Sequence, residues 1–401
     1  MKKIVIIDHF SQTPDEPGNN RFVYLAEMLI AQGFQVEIIT TSFSHKAKQQ
    51  RHLQKGMLDL VSYDFTMLYE PGYKKNVCLK RFYSHYVFGE KLKNYLKKIE
   101  KPDLIFASVP SLNVGATASN YCRKNNIPFI IDIQDLWPEA FKLVVHVPFI
   151  SDMIFFPMTL QANNFYAQAD KIIAVSDTYK NRGLKNNKKD SDGLCVFLGT
   201  DLKQFDENSK LFSVEKPPNT IWVSYVGTLG HSYNIEIIID ALNIIAEKVQ
   251  RPVKFNVFGD GPYLNRFKKY AADCKIPVTF FGRLNYSQMS AYLCKSDIAV
   301  NPIVKGAAQS IINKHADYAA AGLPVLNTQE CQEYRNLINE YQCGINCDVD
   351  SVEQVANALL KLIEDEGVRK KMGMQSRRMA EEKFDRVNTY RLIVAEIEKL
   401  V

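Results

Sequence analysis

The residues best suited to chemistry stand in Lys314–Val325, KHADYAAAGLPV. Lys314 and Asp317 lie three apart at the start of an apolar-periodic run, so both fall on one helix face near its N-terminal end. Gly322 reads as the residue after the helix and Pro324 as its stop, with a strand opening at Val325. A cation and a carboxylate on a first turn suit a phosphate-plus-ribose ligand. The ammonium and the helix N-terminus would neutralise phosphate, and the carboxylate would accept from ribose hydroxyls. An ordinary ion pair on a solvated face fits the same spacing. A second polar set, Asp132 to Glu139 (DIQDLWPE), follows an apolar run and places Asp135, Trp137 and Glu139 at a strand end.

These groups need elements to hold them. Lys3–Asp8 is a continuous β-branched run, as in a buried parallel strand. A loop with Pro14, Pro17, Gly18, Asn19 and Asn20 follows. Phe22, Leu25, Ala26, Leu29 and Ile30 then recur at helical spacing up to Gly33, and Val36–Thr40 is the next strand. This is a βαβ unit whose loop lies at the carboxyl edge, where ligands bind. The loop is not GxGxxG, so the dinucleotide fingerprint is absent. Residues 42–100 are polar, basic and aromatic, without a clear period. Further strands are expected at Asp103–Ser108, Phe129–Asp132, Ala169–Ser176 and Val196–Asp201.

Phe205–Thr220 turns charged and holds Pro217-Pro218, the candidate linker. A second array follows, with glycine loops at three strand ends: Gly227–Gly230, Gly259–Pro262 and Gly282–Leu284. Plain turns need glycine too. In register with the Lys314 helix, however, Gly227, Thr228, Gly259, Gly261, Arg283 and Leu284 suggest one ligand lying along the carboxyl edge. Two successive arrays predict an α/β chain of two doubly wound domains.

Composition narrows the class. At 401 residues and 46% hydrophobic the chain is globular, with two domains expected. It has no apolar run of membrane-spanning length and no signal-peptide pattern. Eight scattered cysteines without a CxxC suit free thiols in a reducing compartment. The net charge of +6 falls wholly in residues 1–200. Lys74–Lys101 holds nine basic and two acidic residues, interleaved with Tyr73, Phe82, Tyr83, Tyr86, Phe88 and Tyr95. That mixture suits an anionic membrane surface, nucleic acid or a plain solvated helix.

The motif set resembles glycosyltransferase family 4, nucleotide-sugar enzymes of the GT-B fold, in which two Rossmann-like domains face a cleft. Within it, the chain is most similar to bacterial capsule, O-antigen and exopolysaccharide assembly members. The carriers are Gly18–Leu29 (GNNRFVYLAEML), Asp135–Glu139 (DLWPE), Ala174–Ser176, Gly227–Leu229, Gly259–Pro262 and Lys314–Val325. The resemblance implies residues 1–203 as an acceptor-side domain, completed by a C-terminal helix at about 380–401, and 204–379 as the nucleotide-sugar domain. It implies that Asp317 holds the ribose and that Ser310, Ile311 and Ile312 offer backbone amides to the diphosphate. Lys314 would neutralise charge, Arg283-Leu284 would border the base, and Gly18 and Asn19 would close over the donor phosphate.

The chain departs from the family in three places. Gln309 stands where the first acid of the family's paired-acid signature belongs. Thr228, His231, Ser232 and Asn234 replace an Arg/Lys pair, leaving Arg283 or Arg21 as helpers to Lys314. Gln134 replaces a usual His, leaving Asp135, or else Asp132 or Glu139, as the acceptor-side carboxylate. The implied activity is retaining transfer from a UDP-sugar to a polyprenyl-diphosphate-linked saccharide at the inner membrane face. Catalysis would rest on Asp135, Lys314 and Gln309, with no metal and no nucleic-acid partner. A nucleotide-sugar epimerase and a non-catalytic nucleotide-sugar-binding subunit are the alternatives.

Overall fold

The computed structural model describes residues 1–14, 16, 20–52, 56–76, 78–144, 150–307 and 310–401, with the side chains of all but 57, 60, 142–144 and 150. The chain forms two compact units, Met1–Val196 with Tyr390–Val401, and Phe197–Thr389.

The first unit is built on a seven-stranded sheet. Its order is Asp64–Leu68, Gln35–Thr41, Lys3–Ile7, Leu104–Val109, Phe129–Ile133, Lys171–Ala174 and Leu194–Cys195, every neighbour parallel. Ile4, Val5, Ile6 and Ile7 are all fully buried, as a strand covered on both faces requires. Helix Arg21–Ala31 starts at Asn20, whose side chain accepts from the Phe22 and Val23 amides. Phe22, Leu25 and Leu29 then pack with Tyr390, Ile393 and Ile397 of the last helix against the sheet.

The second unit repeats the plan with six parallel strands. The order is Val278–Gly282, Val253–Phe258, Ile221–Val226, Ile298–Asn301, Val325–Asn327 and Gly344–Asn346. Helices Ile235–Ile245 and Val352–Glu364 share a core with these strands. In each unit the first strand lies between the second and the fourth, so the winding reverses beside it. The carboxyl end of that reversal is where doubly wound sheets bind ligands.

Two readings of the sequence change. The first part of residues 205–220 is helix, not open linker. Leu202–Lys210 is a helix capped by Asp201, and its Leu202 and Phe205 are buried with Tyr334 and Phe384. Residues 42–100 resolve into a short antiparallel pair, Phe43–Ser44 with Gln49–Gln50, the strand Asp64–Leu68 and the long helix Leu79–Leu96. No helix among the described residues is long and apolar enough to cross a membrane.

Candidate functional site

At the reversal point of the second unit, the Ile221–Val226 strand runs into Gly227 and helix Asn313–Ala320 starts nearby. Tyr318 ties the two: its hydroxyl accepts from the Val226 amide at 2.8 Å and donates to the Val300 carbonyl at 3.2 Å. That tether brings Lys314 over the loop. A Cβ added at Gly227, whose φ is +151°, would stand 3.1 Å from Lys314 Nζ and 2.8 Å from Tyr225 Oη. Glycine there keeps room above the strand end for the ammonium.

Lys314 is only 7% exposed, and its Nζ has no hydrogen-bond partner among the described residues. It rests 4.3 Å from the Tyr225 ring centroid and 4.2 Å from that of Tyr233. Two such contacts return about 0.5–2 kcal/mol each, against several for taking an ammonium from water. Burial accordingly pushes the Lys314 pKa well below its ordinary value. No ion pair with Asp317 forms: Asp317, 9% exposed, instead accepts from the Tyr286 hydroxyl at 3.2 Å, and Tyr286 meets Thr200 Oγ1 at 2.9 Å. Burial raises the Asp317 carboxyl to about 6, with the Tyr286 bond and the Arg386 charge pulling it down. The amides of Asn313 and Lys314, on the first turn, meet no acceptor among the described residues. The arrangement offers a dry cation, free amides and a carboxylate within one helical turn. That set can take a diphosphate and a diol.

The other candidates around it differ in kind. A Cβ on Gly259 would lie 1.8 Å from the Gly227 carbonyl oxygen, and one on Gly261 2.3 Å from that of Leu229. These glycines are required by loop-on-loop packing, whatever a ligand does. Thr228 is exposed, and its carbonyl accepts from the Tyr225 hydroxyl at 2.8 Å. Arg283 is exposed with no ion pair among the described residues, whereas Leu284 packs toward Tyr318 and Leu323. Ser310 and Ile311 are buried, and the Ser310 carbonyl accepts from Gln329 Nε2 at 2.9 Å. The Ile312 amide, expected at the diphosphate, already donates to His315 Nδ1 at 3.2 Å. His315 stacks on Tyr334 at 3.6 Å and joins Asn301, Asn327 and Gln329 in a buried polar cluster. Gln309 lies outside the described residues.

In the first unit, Gly18 and Asn19 also lie outside the described residues. Asp135 is partly buried at the end of strand Phe129–Ile133 and accepts from the Leu136 amide at 2.9 Å. Burial raises its carboxyl, with the Leu136 amide, the Trp137 indole and the Arg81 charge pulling the other way. Trp137 is buried, stacked on His85 with ring centroids 5.6 Å apart. Glu139 is taken by Arg182, whose Nε donates to it at 2.5 Å. Asp132 and Arg21 are not free for substrate. Arg21 donates to Asp132 through Nε at 2.8 Å and Nη2 at 3.3 Å, and both residues are buried. Gln134 also donates to Asp132, at 2.7 Å.

Sequence reading passed over His9 and Glu70. His9 Nε2 meets Glu70 Oε2 at 2.7 Å and Nδ1 meets Ser111 Oγ at 2.8 Å, while Ser84 donates to Glu70 Oε1 at 2.6 Å. With His85 these residues place three ligand-type atoms within 4.8 Å, but His9 and Glu70 are already bonded to each other. It also passed over Tyr225, Tyr233 and Tyr286. Their only sequence signal was aromatic residues close to glycine loops.

Comparison with known proteins places this arrangement. Residues 206–379 match the model for glycosyl transferases group 1, and residues 18–192 that for Glycosyltransferase Family 4. The uncharacterized glycosyltransferase MJ1069 of Methanocaldococcus jannaschii is 26% identical over 224 residues, 55% of this chain and 56% of that protein. This match therefore spans little more than half the length of that relative. HepE of Anabaena, solved with UDP, aligns over 100% of both chains at 14% identity and a TM-score of 0.71. Sucrose-phosphate synthase of Thermosynechococcus elongatus aligns over 100% of this chain and 99% of its own, at 16% identity and the same TM-score of 0.71. The fold shared with these structures is GT-B, with two Rossmann-like halves. With one family model on each half, the chain belongs to the family 4-like glycosyltransferases.

Proposed function

We propose that the chain transfers a sugar, with retention, from a UDP-sugar to a lipid-linked saccharide acceptor. The observation that carries this reading is Lys314, a buried lysine without an anionic partner among the described residues, at the reversal point of a doubly wound sheet. Burying a cation this way is costly in the empty protein and favourable once a diphosphate arrives. The UDP in the Anabaena neighbour supports the choice of nucleotide.

As the sugar–phosphate bond breaks, negative charge grows on the departing UDP. Lys314 and the Asn313 and Lys314 amides are fixed beforehand and stabilise that charge without reorganising. Asp317 holds the ribose, with Tyr286 fixing its carboxylate. The departing phosphate takes the acceptor proton, and Asp135 orients the acceptor hydroxyl. Metal is not needed for charge neutralisation in this scheme.

The lipid-linked acceptor draws on the first unit. Leu79, Tyr83 and Tyr86 of helix Leu79–Leu96 are 86%, 60% and 56% exposed, on a helix that also carries Lys80, Arg81, Lys91 and Lys93. Met153, Ile154 and Phe156 of helix Ile150–Gln168 are 74%, 56% and 57% exposed. Phe141 joins these helices by ring contacts to Phe82 and Phe155. Exposed apolar and aromatic side chains rimmed by lysine suit the interface of an anionic bilayer. These surfaces support a position on the inner face of the cell membrane, in surface-polysaccharide synthesis.

The decisive experiment is UDP release from a panel of UDP-sugars with the Lys314→Ala protein beside the parent. Loss of about 10²–10³-fold in turnover with the fold intact is expected; near-normal turnover overturns the role of Lys314. An epimerase would act on donor alone, so UDP released only with acceptor separates the two.

A further inference from the structure

Two cations of the first unit stand together without an ion-pair partner among the described residues. Lys48 lies in the turn between Phe43–Ser44 and Gln49–Gln50, with a left-handed φ of 59°. That conformation is disfavoured for a residue with a Cβ and tends to persist where a site needs it. Lys48 Nζ donates to Asn76 Oδ1 at 2.5 Å and stands 4.8 Å from the Tyr73 ring centroid. Arg81, on the first turn of helix Leu79–Leu96, overlies the same ring at 5.6 Å and the Trp137 ring at 4.6 Å. Its Nη1 donates to the Asn76 carbonyl at 3.0 Å, while its Nε is buried with no partner among the described residues.

Neither cation has an ion-pair partner among the described residues. Their mutual effect is visible in their neighbours. Burial first, and the Arg81 charge second, lower the Lys48 pKa. His45, hydrogen-bonded to the Tyr73 hydroxyl, is pushed down to about 4 by burial and by both cations. Asp135 senses Arg81 without pairing with it, which places this aromatic platform beside the carboxylate assigned to the acceptor. Like charges sharing one aromatic floor repel, and an anion between them removes the repulsion and satisfies the Arg81 Nε.

We propose that Lys48 and Arg81, over the Tyr73 and Trp137 rings, form a phosphoryl-binding site that holds the diphosphate of a lipid-linked acceptor. The lipid source rests on the reading that the first unit receives the acceptor. The phosphoryl chemistry does not. Arg81 supplies a flat fork of donors and Lys48 a point charge, a combination suited to two adjacent phosphates.

Trp137 makes the site observable. The chain has two tryptophans, so Trp222→Phe leaves Trp137 as the sole indole. With that protein saturated with UDP, inorganic pyrophosphate and farnesyl diphosphate are titrated while Trp137 fluorescence is followed. A saturable change is expected for both. Lys48→Gln with Arg81→Gln should weaken it by about 10-fold or more, and Arg81→Lys alone less. Farnesyl diphosphate binding more tightly than pyrophosphate supports the lipid source; equal affinities overturn it. The absence of a Trp137 response, or one undiminished in the double variant with native circular dichroism, overturns the site itself. UDP affinity, measured on the same samples, reports separately on the donor reading around Lys314.

Discussion

The two sheets share a strand order yet treat their reversal points in opposite ways. In the second unit, the polar group brought to that point is left unsatisfied: Lys314 Nζ has two aromatic faces and no acceptor among the described residues. In the first unit, His9 is bonded at both nitrogens, by Ser111 and Glu70, and Glu70 is further held by Ser84. Asp8, one residue earlier, accepts from Ser108, and burial raises its carboxyl to about 6. A closed hydrogen-bond network rigidifies a strand end, whereas an open one keeps stored electrostatic energy for a ligand. One backbone plan thus closes its strand end with hydrogen bonds in one half and leaves a lysine open there in the other.

The largest effect should come from removing the open group. Lys314→Met should abolish the stabilisation that UDP gives the parent. It should also raise the melting temperature of the ligand-free protein, by about 2–4 °C for each kcal/mol of relieved burial cost. Thermal scans with and without UDP check both. A lowered ligand-free melting temperature would mean that Lys314 is satisfied in the empty protein and would break the contrast.

Next comes proton linkage at the same group. The folded Lys314 pKa lies well below the unfolded one. Between those two values the unfolded chain binds more protons, so this contribution to stability grows as pH rises. UDP binding should reverse the shift and draw in up to about one proton per site. Titration calorimetry in buffers of different ionisation enthalpy reads that uptake directly, and a buffer-independent enthalpy would contradict it.

Asp317 should give a smaller effect of opposite sense. Its carboxyl titrates at about 6 in the fold, above its ordinary 3.8. Ionising it therefore costs stability as pH climbs through that interval, while ribose binding needs the ionised form. Donor KM should rise below about pH 6, and Asp317→Asn should raise it by about 10-fold and remove that limb. Initial rates across pH 5–8 check this, and Tyr286→Phe should move the limb upward.

The smallest functional effect is expected in the closed network. His9→Gln should destabilise the first unit by about 1–3 kcal/mol, since it leaves buried Glu70 and Ser111 short of partners. UDP affinity should stay unchanged. A large loss of UDP affinity would show that the two edges act as one.

Much of the fold was readable because periodicity carries it. The buried strand Lys3–Ile7, the helix ending before Gly322 and the strand Val325–Asn327 lie where apolar runs and glycine or proline stops put them. The helix Leu202–Lys210 was not readable because its buried face needs only Leu202 and Phe205 among charged neighbours. Leu79–Leu96 was hidden by its exposed Lys80, Tyr83, Tyr86, Lys91 and Lys93. At the candidate site, Lys314 and Asp317 were legible from spacing. The His315 bond that occupies the Ile312 amide was not, nor was the pairing of Arg21 with Asp132 across 111 positions.

The sequence by itself determined the two parallel arrays, the glycine loops at their strand ends and a cation with a carboxylate on one helical turn. Those follow from local periodicity and from residues that permit only certain backbones. Only the tertiary structure decided that Lys314 and Asp317 ignore each other. It also decided that Gly259 packs directly on the Gly227 carbonyl, and that Lys48 and Arg81 meet over one aromatic ring. Each of those facts depends on which distant side chains fill the space nearby, and desolvation, unlike spacing, is a property of the folded neighbourhood alone.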